Sequence, residues 1–178
     1  MYGMRRKELR VLPHDPAWKE DFDAEKERIL NCLGDAKVRI EHVGSTAIET
    51  VHAKPVLDIA ILCDENGLAR LIECLGKLGY EYRDRYEDEA DHYYAVRDEG
   101  PIRYCQMHIY TQATSDWESK LRFRDVLRRD PDLAKEYSEY KLALAESVSE
   151  KKLYAETKHE WVNGFMPKIN DSAKDRSF

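Results

Sequence analysis

Apolar residues recur at helical spacing near the two ends of the chain and gather into short runs in its middle. Trp18, Phe22, Ile29 and Leu33 share one helical face that stops at Gly34. Asp15-Pro16 ahead of them has the chemistry of an N-cap followed by a first helical position. Lys37–Val43 and Val56–Leu62 are runs rich in branched residues and predict strands. Leu68, Leu71, Ile72, Leu75 and Leu78 predict a second helix, capped by Asp64 or Asn66 and ended by Gly79. Tyr80–Tyr86, His92–Arg97 and Ile102–Tyr110 predict three more strands, the last two joined by an Asp98-Glu99-Gly100-Pro101 turn. Leu9–Pro13 adds a short strand near the start. Along Ile102–Tyr110 side chains alternate, so Cys105, Met107 and Ile109 oppose Tyr104, Gln106, His108 and Tyr110.

Beyond Thr111 the pattern is helical again. Ser115 and Glu118 have capping-box spacing ahead of Trp117, Leu121 and Leu127. Asp130-Pro131 repeats the cap signal and predicts a helix to about Ser147. A last helix is expected over Glu150–Phe165, with Pro167 and the polar tail fraying. One early helix, a run of strands and three closing helices make an α+β fold with one mixed sheet. A chain of 178 residues suits a single domain. Its expected limits are residues 1–168, with a polar C-terminal tail over 169–178.

Composition narrows the function. Hydrophobic residues make up 42% and charged residues 36%, with a net charge of -6. That balance argues against binding nucleic acid by bulk charge. There is no apolar stretch of spanning length and no secretory signal pattern, so a cytoplasmic protein is expected. Cys32, Cys63, Cys74 and Cys105 lack C-x-x-C spacing and read as buried reduced thiols.

The candidate chemistry lies where an apolar run ends in Gly44-Ser45-Thr46 and a second run, Lys54-Pro55-Val56-Leu57-Asp58-Ile59-Ala60-Ile61-Leu62, follows. Gly44 lets backbone approach a ligand closely. Ser45 and Thr46 add hydroxyls and N–H groups. Asp58 is the one charge between Pro55 and Cys63 and needs a partner there. A cation is one candidate; an ion pair with Lys54 or an arginine is the structural alternative. Glu41 and His42 point to opposite strand faces. Lys120, Arg122, Arg124, Arg128 and Arg129 cluster on one helix, either as a solvated face near its C-terminus or as a clamp for phosphate oxygens. His14, His52, His92 and His159 show no metal-binding spacing.

These residues resemble the GrpB family of bacterial proteins. The resemblance runs from about Leu9 to Phe165. It is carried by Glu41-His42-Val43-Gly44-Ser45-Thr46-Ala47, by Lys54-Pro55-x-x-Asp58, by His108 in a late strand, and by Phe123-Arg124-Asp125-x-Leu127-Arg128. The helical pairs Tyr137…Lys141 and Tyr154…Lys158 support it. The family is placed with the polymerase-beta-like nucleotidyltransferases, where a Gly-Ser turn precedes an acid-x-acid strand. Some of its members are fused to dephospho-CoA kinase. Here the second acid is Ala60, as is typical of the family, and Glu49-Thr50 replaces the usual Pro-Gly after the turn.

The resemblance implies a nucleotide-binding protein of nucleotidyltransferase fold, transferring a nucleotidyl group to an unnamed acceptor. Gly44, Ser45, Thr46 and Lys54 would hold phosphates. Asp58 would hold Mg²⁺ or Mn²⁺, with His108 and Glu41 as further candidate ligands. His108 would otherwise serve as general base. Arg124 and Arg128 would neutralise the transferred group. The alternative is a non-catalytic module on the same fold that senses a nucleotide, a CoA-like metabolite or a protein partner. Two geometric expectations follow. Ser45, Asp58 and His108 should line one cleft, and Lys54, Arg124 and Arg128 should make it basic.

Overall fold

A computed structural model describes residues 2–85, 91–148 and 150–174. In chain order it contains strand β1 (Met4–Arg5), helix α1 (Ala17–Leu33), β2 (Arg39–Val43), a single 3-10 turn (Ser45–Ala47), β3 (Leu57–Leu62), α2 (Glu65–Lys77), β4 (Tyr80–Arg85), β5 (His92–Glu99), β6 (Ile102–Tyr110), α3 (Ser115–Arg129), α4 (Pro131–Ser147) and α5 (Lys151–Lys174). The class is α+β, as the pattern predicts. The strands form one mixed sheet in the order β2-β3-β6-β5-β4, with β1 paired to the start of β6. Among the described residues only β3 and β6 run parallel; the other pairings are antiparallel.

Register decides what each face of the sheet carries. Val43 lies opposite Asp58 and Glu41 opposite Ala60, while Asp58 lies beside Gln106 and Ala60 beside His108. Residues paired across a ladder share a face. One face therefore presents Leu57, Ile59, Ile61, Cys105, Met107 and Ile109, all fully buried, beneath Trp18, Phe22, Ile29 and Leu33 of α1 and Leu71, Cys74 and Leu75 of α2. The other face presents Val43, Ala60 and Tyr110 to Trp117 of α3. A third cluster joins Ile48 and Val51, just after the 3-10 turn, to Val126, Leu127, Ala134, Tyr137, Phe165 and Ile169 of the closing helices. The site's turn is thus wedged between the sheet and the C-terminal helices.

Several ends differ from the sequence pattern. The α3 cap is Thr114, whose hydroxyl accepts from the Trp117 N–H at 3.3 Å; Ser115 already lies inside the helix. Of Leu9–Pro13 only Leu12 pairs, in an isolated bridge to Ala53. Helix α5 runs through Pro167 to Lys174, because Phe165 and Ile169 on either side of the proline bury against Ile48. Tyr86, the expected last residue of its strand, lies outside the described residues. The four-thiol expectation is also corrected. Cys32 and Cys74 join α1 to α2 in a disulfide, with Cα atoms 5.9 Å apart. Cys63 and Cys105 are free and buried, and burial pushes their thiols up to about 11 and about 12.

Beneath the α1 face a buried ion pair closes the sheet. Glu25 of α1 accepts from Arg97 of β5 at 2.6 Å and from the Tyr80 hydroxyl of β4 at 3.0 Å. Tyr2 and Arg28 donate to the same carboxylate. A buried carboxylate is tolerated only when its oxygens are satisfied in this way.

Candidate nucleotide cleft

The turn after β2 is built around Gly44, whose φ of 69° lies in the left-handed region. A Cβ there would also fall 2.9 Å from the Cβ of Asp58 and 3.0 Å from its Cγ. Conformation and space both demand glycine. Thr46 turns inward. It is 2% exposed, and its Oγ1 meets His42 Nε2 at 2.9 Å, so its hydroxyl secures the turn and does not face a ligand. His42 stacks on Phe22 at 4.6 Å. Burial, with Arg128 and Arg124 nearby, pushes its imidazole down to about 3. Ser45 faces the other way, its Oγ 3.1 Å from the Tyr137 hydroxyl of α4.

Asp58 stands beside this turn, half-buried at the start of β3. Its Oδ1 accepts from the Gln106 side-chain amide at 2.9 Å. Asp58, Lys54 and Lys158 all lie within electrostatic reach of Lys141. Lys141 of α4 is 2% exposed and donates to the His52 carbonyl. Burial depresses its ammonium well below the usual range, Lys158 and Lys54 add to that, and Asp58 partly offsets them. The ammonium of Lys54 lies 4.0 Å from the ring centroid of Tyr154 on α5. Lys158 follows Tyr154 by one helical turn on the same face. Tyr137 and Lys141 have the same spacing on α4. Tyr137 and Lys141 of α4 thus reach Ser45 and His52, and Tyr154 of α5 reaches Lys54. The Tyr154 hydroxyl is buried and has no hydrogen-bond partner among the described residues.

Other candidates are placed differently. Arg124 is 8% exposed and fastens α3 to β2, donating to Glu41 at 2.7 Å, to the His42 carbonyl at 3.0 Å and to Asp125 at 2.7 Å. Its charge is matched, so it is not a phosphate clamp. Arg128 donates to the Ala47 carbonyl at 2.8 Å and braces the back of the turn. Glu41, on the Asp58 face, is engaged by Arg124 and by Arg39 at 2.8 Å. Those cations hold its carboxyl below the usual range despite the opposing effect of burial, which is the largest. His108 shares the Asp58 face one pair farther along the strands. Its Nδ1 lies 2.9 Å from His92 Nε2. Burial depresses the imidazole well below its ordinary value, with Lys120, His92 and Lys158 acting in the same direction. Gly44 and Asp58 thus meet at the turn, and His108 stands beside Ala60 on the same face.

The sequence profile of the GrpB protein family matches residues 8–168. The chain belongs to the GrpB family. A UPF0157 protein of Halalkalibacterium halodurans is 32% identical over 164 residues, covering 91% of this chain and 83% of that one. The crystal structure of conserved protein GrpB from Enterococcus faecalis superposes with a TM-score of 0.79 at 26% identity, over 93% of this chain and 98% of that chain. Cid1 in complex with its short product ApU superposes with a TM-score of 0.50 at 15% identity, over 74% of this chain and 42% of that one. At that identity the likeness is one of nucleotidyltransferase fold alone.

Among the described residues Asp58 has no second strand acid beside it to share a divalent metal. Two acids at i and i+2 on one strand would share a face and a metal, but Ala60 takes the second position and is fully buried. Glu41 is held by two arginines, and one oxygen of Asp58 is occupied by Gln106. Among the described residues no three of His, Cys, Asp and Glu gather to hold a metal ion. The GrpB residues that sequence reasoning left without a role are Gln106, Tyr137, Lys141, Tyr154 and Lys158. One signal was available: two Tyr-x-x-x-Lys pairs on successive helices.

Proposed function

We propose that this GrpB protein binds a nucleotide or another phosphorylated small molecule in the cleft between the Gly44-Ser45 turn and helices α4 and α5. One observation carries the reading: Lys141, buried and tethered to the His52 carbonyl in the loop after the turn, lies within electrostatic reach of Asp58, Lys54 and Lys158 in a protein whose overall charge is negative. A buried lysine with further lysines in electrostatic reach, close to a glycine turn, favours an anionic ligand. Binding, not transfer, is what these residues support. Ala60 removes the second strand acid, and an imidazole held as low as that of His108 is a weak general base at neutral pH.

A thermal-shift screen tests this, using nucleotides, dephospho-CoA and its precursors, pyrophosphate and sulfate, each with Mg²⁺ and with EDTA. A ligand at about a hundred times its dissociation constant adds roughly 2.7 kcal/mol of stability, which appears as a raised melting temperature. Phosphorylated compounds should raise it where their dephosphorylated counterparts do not. Equal responses to both, or none to either, would overturn the proposal.

A further inference from the structure

Helix α4 grips one residue of the loop after the turn at three separate atoms. We infer that His52 is a ligand-contacting residue of the cleft: α4 fixes its ring so that the Nε2–H is presented, as an uncharged donor, to a phosphate oxygen. This deepens the reading above and rests on it.

The Ser138 hydroxyl oxygen lies 3.0 Å from the His52 backbone nitrogen and accepts its N–H. The same oxygen lies 2.9 Å from His52 Nδ1. Ser138 is 4% exposed, and its hydroxyl has no other partner among the described residues. A buried hydroxyl proton left unpaired is costly, so the Ser138 O–H donates to Nδ1. An imidazole whose Nδ1 accepts carries its one proton on Nε2. The Lys141 ammonium donates to the His52 carbonyl. Of the four polar atoms of His52, α4 thus engages three. The fourth, Nε2, has no hydrogen-bond partner among the described residues, and the residue is half-buried, not sealed.

The same stretch of α4 reaches the Gly44 turn. Tyr137, one residue before Ser138, brings its hydroxyl to 3.1 Å from Ser45 Oγ. Tyr137, Ser138 and Lys141 thus fasten Ser45 and His52, two points along one wall of the proposed cleft, to a single helix. Bracing the loop accounts for the bonds to the His52 backbone N–H and C=O, which any side chain at this position would leave in place. It does not account for the bond to the ring. That bond selects a tautomer, which matters when the other ring nitrogen has work to do. A donor held in this way loses little rotamer freedom when a ligand arrives, and being neutral it adds no charge beside Lys141.

The experiment uses the intact, isotope-labelled chain and inorganic pyrophosphate. In the free protein, imidazole nitrogen shifts should show His52 protonated at Nε2 and bare at Nδ1, and Ser138→Ala should turn that preference into a mixture. Pyrophosphate should move the His52 Nε2 resonance and slow exchange of its proton with water. By calorimetry, His52→Ala should bind pyrophosphate about tenfold more weakly, or worse, the scale of a hydrogen bond to a charged oxygen. His52→Gln, whose amide can place an N–H near the position of Nε2, should recover part of that loss. Melting temperatures will verify that the variants fold; should His52→Ala fail to, the wild-type Nε2 resonance decides alone. If wild type binds pyrophosphate while that resonance stays put, or if His52→Ala binds it as tightly, the inference is overturned and the phosphate cleft stands. A wild-type ring protonated at Nδ1 would overturn it equally. Absence of pyrophosphate binding to wild type would overturn both.

Discussion

His42 shows how one residue couples the turn to acid stability. Burial, then Arg128 and Arg124, hold its folded pKa at about 3, against an ordinary 6.5 in the unfolded chain. The unfolded state therefore takes up a proton below about pH 6.5 that the native state refuses. The stabilisation is complete above that pH and is lost progressively as pH falls toward 3; its size is roughly a few kcal/mol. Urea unfolding at stepped pH should show wild-type stability falling from pH 6.5 downward, and His42→Gln should fall less steeply between 6.5 and 4. Parallel slopes would show that His42 is not the group responsible. At this scale the sequence revealed Gly44, Ser45 and Asp58, because a glycine in a turn and a lone acid in an apolar strand are local anomalies. That Lys141 and Arg124 are buried stayed hidden, although Arg124 was named as a phosphate clamp. A lysine or arginine on an amphipathic helix normally reads as solvated, and only the packing of α3 and α4 against the turn puts these two inside.

Among the elements, α5 departs most from its pattern. Proline within a helix removes a backbone donor and clashes with the preceding turn, costing about 3 kcal/mol, yet α5 continues past Pro167 to Lys174. Burial of Phe165 and Ile169 beside Ile48 offsets that cost. Pro167→Ala should therefore stabilise the protein, by about 1–3 kcal/mol after allowance for the freer unfolded chain, and circular dichroism during thermal melting will measure it. A destabilised variant would mean that Pro167 itself is needed to seat Ile169. Helices and strands were otherwise readable from their periods of 3.6 and 2, and the Asp64, Asp130 and Gly79 signals fell where expected. Ends were missed where a long-range contact overrode the local signal: Pro167 in α5, and Leu12, which meets only Ala53. The disulfide between Cys32 and Cys74 was invisible because it depends on how α1 lies against α2.

Across the whole molecule, the sheet separates two functions. Its α1 and α2 face is a hydrocarbon core closed by Glu25 and Arg97, and its other face packs Val43, Ala60 and Tyr110 against Trp117 of α3. No helix among the described residues is long and apolar enough to cross a membrane. Mixed topology was readable from the order of elements, but the pairing of β3 with β6 was not, since nothing local selects a partner 48 residues away. That pairing has a kinetic corollary. The β5–β6 hairpin closes over a short Gly100-Pro101 turn and loses little chain entropy, whereas Asp58 meets Gln106 only after a long loop is closed. The hairpin should be formed at the folding barrier and the cleft completed after it. Val96→Ala, in the fully buried hairpin core, should then slow folding, while Gln106→Ala should mainly hasten unfolding. Stopped-flow chevrons of the two variants will distinguish these arms; the reverse assignment would mean that the parallel pair forms first. If the order holds, the half-made chain presents Asp58 before Gln106 fixes it, and a ligand of the proposed site would act after the barrier, prolonging the life of the folded protein without speeding its formation.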